Sequence, residues 1–133
     1  MAAVVRRLLA AGLSVWLYDP SPFGFSPNEL SGMRWQRTGG GWESQTLEAI
    51  NKARAVLALV GRATAGAQFQ PREIEIAAKT KALAPVIVDD LPFADLPASI
   101  LDRHTSRLDP RAMGTQTFDT ALTLLAADIT ELV

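Results

Sequence analysis

Residues 55–88 read AVLALVGRATAGAQFQPREIEIAAKTKALAPVIV, and this stretch decides the fold because two short apolar runs enclose one helical segment. The first run, Ala55–Val60, is entirely apolar, which is typical of a strand buried on both faces of a parallel sheet. The second run, Pro85–Val88, has the same character. Between them, Pro71 suits the first turn of a helix that we expect to end near Thr80. Strand, helix and strand in this order predict a parallel sheet flanked by helices.

The segments on either side continue the alternation of helices and strands. Just before the first strand, Trp42–Ala53 predicts a helix with Leu47 and Ile50 on one face. The other expected elements are a helix over Ala2–Ala11 ended by Gly12, a strand over Leu13–Tyr18, a helical turn over Leu96–Leu101, a weak edge strand over His104–Leu108, and an amphipathic helix carrying Phe118, Leu122, Leu125, Ile129 and Leu132. Together they predict one α/β domain over residues 1–133.

The segment Pro20–Gly41 shows no sustained period and predicts a long irregular loop with three prolines and five glycines. Loops of this length are usually functional or mobile, so we expect it to be more mobile than the strands. A phosphate-binding role for Gly39–Gly41 is an alternative. It is disfavoured because no strand directly precedes the run and no Walker-type Lys-Ser/Thr pair follows it.

Composition narrows the function classes. The net charge of −1 predicts no general attraction to nucleic acid or to an anionic membrane, and no apolar run approaches the length of a membrane span. The chain has no cysteine, which excludes a disulfide framework and thiolate chemistry and is compatible with a cytoplasmic location.

Ligands of parallel α/β sheets bind at the carboxyl ends of the strands. Here that edge comprises Tyr18-Asp19, Gly61–Thr64 and Asp89-Asp90, together with the start of the helix at Pro71. Glu73 and Glu75 lie early in that helix, and one interpretation makes both of them surface carboxylates favoured by the helix dipole. Glu75 has Lys79 four residues on, whereas Glu73 has apolar residues at those spacings. Glu73 is therefore the better candidate for a site.

Other polar and aromatic residues have plainer explanations. His104 is the only histidine, has no recognisable catalytic arrangement around it, and is expected to be structural. Asp89 and Asp90 resemble a metal-binding pair but lack partner carboxylates at fixed spacing, so they are expected to mark a turn. Trp16 and Trp42 lie in regular elements and are expected in the core, while Trp35 in the irregular segment remains open.

Three segments in order resemble a known family. VRRLLAAGLSVWLY (5–18) is similar to the TIR (Toll/interleukin-1 receptor) helix that leads into a strand ending in Trp-Leu-Asp. GWESQTLEAINKARAVLALVGRAT (41–64) resembles the TIR stretch in which a helix that begins at tryptophan leads into the third strand. That stretch ends at a small hydroxyl residue, here Thr64. FQPREIEIAAKTKALAPVIVDD (69–90) resembles the segment Trp-x-x-x-Glu followed by helix and strand, with Phe69 in place of tryptophan and Glu73 on the glutamate.

The resemblance implies a flavodoxin-like, three-layer parallel sheet and an NAD+ glycohydrolase or signalling effector. Glu73 would be the catalytic residue, and the segment Pro20–Gly41 would gate the pocket and mediate assembly. NAD+ would be the substrate, with no resident cofactor and no metal, and the partners would be other TIR domains or further copies of the chain. The substrate-binding residues would be Tyr18, Asp19, Trp35, Thr64 and Phe69.

The family's first strand has no counterpart, because nothing before Ala2 supplies it. With a family strand order of 2-1-3-4-5, the missing strand would lie between Leu13–Tyr18 and Ala55–Val60. We expect either a gap or abnormally close pairing there. We favour truncation, and on that basis expect these 133 residues to hydrolyse NAD+ weakly or not at all.

Two other functions stay open. A non-catalytic TIR module that acts by self-association would use the same fold and the same segment after Asp19. A nucleoside deoxyribosyltransferase-like enzyme would use a related sheet and a glutamate on N-glycosidic bonds, but the ordered TIR segments fit the chain better.

Overall fold

A computed structural model describes residues 2–61, 70–80, 82–89, 91–95 and 105–133. Helices and parallel strands alternate, as predicted for the α/β class. The helices are α1 (Ala2–Ala10), α2 (Pro27–Ser31), α3 (Trp42–Lys52), α4 (Gln70–Thr80) and α5 (Gln116–Leu132). The strands are β1 (Val15–Leu17), β2 (Met33–Trp35), β3 (Ala55–Val60), β4 (Ala82–Ile87) and β5 (Ser106–Arg107). The chain forms two compact units, Met1–Lys52 and Ala53–Val133.

In the first unit, α1 leads into β1 through Gly12, whose φ of +83° is a conformation that glycine adopts without strain. Strand β1 pairs in parallel with β2, with Leu17 opposite Trp35. Helix α1 contacts β1, and α2 contacts β2. The buried residues described in this unit are Val4, Val5, Leu8, Pro20, Met33, Thr46 and Ile50.

The segment Pro20–Gly41 is not an irregular loop, so that prediction was wrong. It contains a short 3-10 helix, α2 and β2. Helix α2 begins with a capping box, in which the Ser26 hydroxyl accepts from the Glu29 N–H and the Glu29 carboxylate accepts from the Ser26 N–H. Arg6 of α1 donates to Glu29 at 2.6 Å and lies 5.2 Å from the centre of the Phe25 ring. These contacts tie the segment to α1.

In the second unit, β3, β4 and β5 form a parallel sheet in that order, as expected for the third, fourth and fifth family strands. Helix α4 contacts β4, and α5 contacts β5. Thr115 caps α5, because its hydroxyl accepts from the Phe118 N–H. The buried side chains of this unit include Ala58, Val60, Ile74, Ala77, Leu83, Val86, Ile87, Leu91, Leu108, Phe118, Leu122, Leu125, Ala126 and Ile129.

Two expectations about burial need correction. In β3, Ala58 and Val60 are buried but Leu57 and Leu59 are only half-buried, so full burial holds for one face of the strand. Trp16 is likewise half-buried rather than in the core, and the side chain of Trp42 is outside the description.

The strands expected to flank the missing first strand belong to different sheets. Among the described residues, β1 pairs only with β2, and β3 pairs only with β4. Direct pairing of Leu13–Tyr18 with Ala55–Val60 is therefore absent from the described part of the chain. The expected helical turn at Leu96–Leu101 lies outside the described residues.

Candidate functional site

Backbone hydrogen bonds continue the pairing of β3 with β4 and of β4 with β5 by one residue past the carboxyl ends of the strands. The Val88 N–H donates to the Val60 carbonyl at 3.0 Å, and the Leu108 N–H donates to the Ile87 carbonyl at 2.8 Å. Residues 61 and 89, which follow β3 and β4, are thereby brought to one edge of this sheet, as the sequence predicted.

At that edge, the Asp89 carboxylate lies against Gly61. A Cβ atom on Gly61 would stand 2.8 Å from Asp89 Oδ2, so a side chain at this position would force the Asp89 carboxylate to shift. Asp89 Oδ1 accepts the Leu91 N–H at 2.9 Å, which closes a turn after β4. The expectation that Asp89 marks a turn is thus confirmed, whereas Asp90 lies outside the described residues.

Arg107, in β5, fixes the same turn from the other side. Its Nη1 donates to the Asp89 carbonyl at 2.6 Å, and its Nη2 donates to the Leu91 carbonyl at 3.0 Å. The guanidinium plane matches two acceptors at once, which makes the contact geometrically specific. Sequence reasoning missed this residue, because a lone arginine in a weak edge strand gives no signal of its partners.

Glu73 lies in the first turn of α4 and is half-buried. Burial raises the pKa of its carboxyl above the ordinary value, because desolvation disfavours the charged form. Within the described part of the chain, no hydrogen bond or ion pair involves its carboxylate, and the residue four positions on, Ala77, is buried. Glu75, by contrast, is exposed and pairs with Lys79 at 3.1 Å. The predicted difference between the two glutamates is confirmed.

In the first unit, Tyr18 and Trp35 lie at the carboxyl ends of β1 and β2. The register places Trp35 opposite Leu17, and the Gln36 N–H donates to the Tyr18 carbonyl at 3.4 Å. Both aromatic side chains are exposed, Tyr18 at 54% and Trp35 at 41%. The structure therefore places two of the predicted substrate-binding residues at the carboxyl ends of neighbouring strands. Because side chains alternate along a strand, Trp35 shares a face with Leu17 rather than with Tyr18.

The Asp19 carboxylate, next to Tyr18 in the sequence, stabilises the turn after β1. Its Oδ1 accepts from the Ser21 hydroxyl at 2.7 Å and from the Ser21 N–H at 3.0 Å. These two bonds hold the pKa of the Asp19 carboxyl below its usual value. Thr64 and Phe69, the remaining predicted substrate-binding residues, and His104 lie outside the described residues.

The glycine run 39–41 is explained by the start of α3. Gly39 has a φ of +87°, and a Cβ on Gly40 would collide with the Gln45 side-chain amide. The carbonyl of Gly41 accepts the Gln45 N–H at 3.1 Å. The Gln45 amide accepts the Arg37 N–H at 2.7 Å and donates to the Arg37 carbonyl at 3.1 Å. Gly39 and Gly40 thus occupy positions where a side chain would be strained or crowded, whereas Gly41 contributes its backbone carbonyl.

In the described ranges, no three histidine or acidic side chains are grouped so that they could hold a metal ion. Of the helices described, none combines the length and apolar character needed to cross a bilayer.

The family model described as TIR domain matches residues 1–125. No curated protein and no solved structure matches the chain. The family match covers nearly the whole chain and agrees with the parallel sheets flanked by helices. The chain therefore belongs to the TIR domain family, a family of signalling domains that commonly associate with other TIR domains.

Proposed function

We propose that this TIR domain cleaves the nicotinamide–ribose bond of NAD+ and that Glu73 is the catalytic carboxylate. The environment of Glu73 carries the proposal. A half-buried carboxyl with a raised pKa, on the edge where α/β sheets bind ligands, is typical of a functional site. Glu75, two residues away on the same helix, is exposed and paired with Lys79, so it lacks the half-buried environment of Glu73.

The chemistry suits a carboxylate. Nicotinamide leaves as a neutral ring, and the ribose passes through a state with positive charge on the anomeric carbon and ring oxygen. An ionised carboxylate beside the ribose stabilises that charge and accepts hydrogen bonds from the ribose hydroxyls, as in glycosidases. Water then attacks the anomeric carbon, which gives ADP-ribose and a proton.

On the family resemblance, the proposal assigns substrate binding to Tyr18, Asp19, Trp35, Thr64 and Phe69. The exposure of Tyr18 and Trp35 supports a role for them in contacting aromatic rings. For Asp19, one carboxylate oxygen already accepts from Ser21, so the proposal concerns its other oxygen. NAD+ enters as substrate, the proposal requires no resident cofactor, and it places the reaction in the cytoplasm.

Nicotinamide release from NAD+ by the purified chain and its Glu73→Gln variant is the direct test. Loss of one charge-stabilising group typically lowers kcat by about 10²–10³-fold, so we expect a decrease of that size. Glu75→Gln is the matched control and should retain the wild-type rate, because Glu75 is engaged with Lys79 on the surface. Circular dichroism should show the same fold in all three proteins.

The alternatives predict different results. Equal activity in wild type and Glu73→Gln would remove Glu73 from the mechanism. A wild-type chain that associates with itself and whose weak nicotinamide release does not depend on Glu73 would be an interaction module. Transfer of deoxyribose between nucleobases, with NAD+ untouched, would identify a deoxyribosyltransferase-like enzyme.

A further inference from the structure

One face of α5 is exposed along the length of the helix and carries a leucine at its centre. Helix α5 runs over Gln116–Leu132, so Leu124 has eight helical residues on either side, and it is 61% exposed. The residues four and seven positions from Leu124 in both directions are also exposed, and these spacings place them on the same face of the helix. This surface is called the outer α5 face below, and its residues are Thr117, Thr120, Leu124, Asp128 and Glu131.

The hydroxyl groups of α5 differ between the outer α5 face and the rest of the helix. Away from this face, Thr123 and Thr130 each donate to the backbone carbonyl four residues earlier, at 2.9 and 2.7 Å. The hydroxyls of Thr117 and Thr120 take part in no hydrogen bond among the described residues. They therefore remain able to donate to an acceptor on a partner.

The acidic residues of the outer α5 face lie at the end of the helix that disfavours them. A helix carries partial negative charge at its carboxyl end, so acidic side chains there weaken it. Asp128 and Glu131 nevertheless lie within the last five residues, and α5 contains no lysine or arginine. In the part of the chain that the structure describes, neither carboxylate has a hydrogen bond or an ion pair. The described residues therefore do not compensate these two charges.

We propose that the outer α5 face binds a second copy of this chain, with the two α5 helices antiparallel about a two-fold axis at Leu124. The positions 117, 120, 124, 128 and 131 have the same spacing when counted in either direction. An antiparallel copy with Leu124 on the axis therefore places Thr120 opposite Asp128 and Thr117 opposite Glu131. Each carboxylate then accepts from a threonine hydroxyl, and the two leucines pack against each other at the centre.

The antiparallel direction also compensates the charges of the helix ends. It brings Asp128 and Glu131 of each copy beside the amino end of the other α5, which carries partial positive charge. A parallel pair would bring four carboxylates together instead. A basic partner of another kind would match chiefly the acidic half of the face, whereas a second copy matches both halves.

The size of the outer α5 face indicates a weak dimer. A helix of 17 residues is about 25 Å long, and one helix packed on another buries less than the roughly 1,200 Å² that separates transient from stable interfaces. Association should therefore require high protein concentration. It should also respond to single substitutions near the axis, because few contacts share the binding energy.

Sedimentation equilibrium of the purified chain over about 10 μM to 1 mM tests the proposal, and wild type should show a monomer–dimer equilibrium. Thr120→Asp should weaken dimerisation about five- to thirtyfold, because it places a carboxylate opposite Asp128 at two symmetry-related positions. Adding Asp128→Thr should restore dimerisation, since the same two side chains then face each other with their positions exchanged. Thr123→Asp is the matched control, because it adds the same charge about 100° around the helix, and it should dimerise as wild type does.

The position of the axis can be tested with one introduced thiol, because the chain contains no cysteine. Under oxidising conditions, Leu124→Cys should form a disulfide-linked dimer, since the two thiols would meet at the axis. Thr123→Cys, at the neighbouring exposed position, should remain monomeric on denaturing gels.

A wild-type chain that stays monomeric over the whole concentration range would overturn the proposal. Equal dimerisation of wild type and Thr120→Asp would overturn it too, as would equal cross-linking of the two cysteine variants. Failure of the exchanged pair to restore dimerisation, with a circular dichroism spectrum like that of wild type, would refute the antiparallel register. Association is measured without NAD+, and Glu73 lies on α4, so the dimer and the proposed hydrolase function succeed or fail separately.

Discussion

Replacement of Arg107 by methionine should destabilise the second unit, because it removes both hydrogen bonds that hold the turn after β4. Methionine keeps much of the aliphatic stem and loses the guanidinium, so the effect isolates the contacts with the Asp89 and Leu91 carbonyls.

The expected magnitude follows from the two bonds. A hydrogen bond to a charged group contributes about 1.5–3 kcal/mol, and the lower figure applies here because the bond to the Asp89 carbonyl is exposed to water. The bond to the Leu91 carbonyl is partly buried, so its acceptor would lose a partner with limited access to water. Together these effects amount to about 2–3 kcal/mol in the free energy of unfolding. For a chain of this size, that is a fall in Tm of roughly 8–12 °C.

Urea and thermal unfolding followed by far-ultraviolet circular dichroism measure the change. Arg111→Met is the control, because the Arg111 side chain is 81% exposed and pairs with the surface carboxylate of Asp109. Its loss should cost no more than about 0.5 kcal/mol. If Arg107→Met melted within about 3 °C of wild type, or no lower than Arg111→Met, the turn would not depend on the arginine and the reasoning would fail.

Two further predictions concern the same sheet edge. Gly61→Ala should lower the free energy of unfolding by about 1–3 kcal/mol, because its Cβ would stand 2.8 Å from Asp89 Oδ2. Adding Asp89→Ala should recover part of that loss in a double-mutant cycle, and strict additivity would contradict the close approach. The folded-state pKa of Glu73 is raised above its ordinary value of 4.5, so the native state binds the proton more tightly and Glu73 contributes less stability as pH rises through that pKa. Glu73→Gln should therefore gain stability over wild type near pH 7.5, and urea midpoints should show the gain shrinking toward pH 4.5; an equal difference at both pH values would refute this.

The spacing of apolar residues predicted those helices and strands whose own sequence carries a clear apolar pattern. The all-apolar run gave β3 with its bounds, Ala55–Val60, and the spacing from Phe118 onward gave α5. The strand expected at Pro85–Val88 begins earlier, at Ala82. Proline has no N–H to donate to a ladder, which restricts where it can lie in a sheet. In the structure β5 pairs with β4 only at Val86 and Ile87, so Pro85 lies beyond that ladder and faces β3 alone among the described strands.

The elements within Pro20–Gly41 were missed for two different reasons. Strand β2 has three residues and no period, and it exists because β1 offers a partner in register. Helix α2 did carry a signal, since Ser26 is followed three residues later by Glu29, the pattern of a capping box, with Pro27 at the first helical position. A five-residue helix is too short for hydrophobic periodicity, so only its cap could have identified it.

The part of the candidate site on α4 was predictable, because the surroundings of a helical side chain depend on residues three and four positions away in the sequence. The apolar spacing around Glu73 and the cation four residues after Glu75 were both visible in the sequence. The contact of Asp89 with Gly61 joins residues 28 positions apart, and the hydrogen bond from the Arg107 guanidinium to the Asp89 carbonyl joins residues 18 positions apart. Both contacts depend on the order of the strands in the sheet. Such contacts become visible only when the sheet has been assembled.

The division of the chain into two compact units has a spectroscopic consequence. All three tryptophans, Trp16, Trp35 and Trp42, and the single tyrosine belong to residues 1–52, and residues 53–133 contain neither residue type. Intrinsic indole emission therefore reports only the first unit, whereas far-ultraviolet circular dichroism records helices of both. The two signals, followed in one denaturant titration, separate the transitions of the units without any label. Coincident curves correspond to one cooperative domain over residues 1–133, and displaced curves to two units that unfold independently.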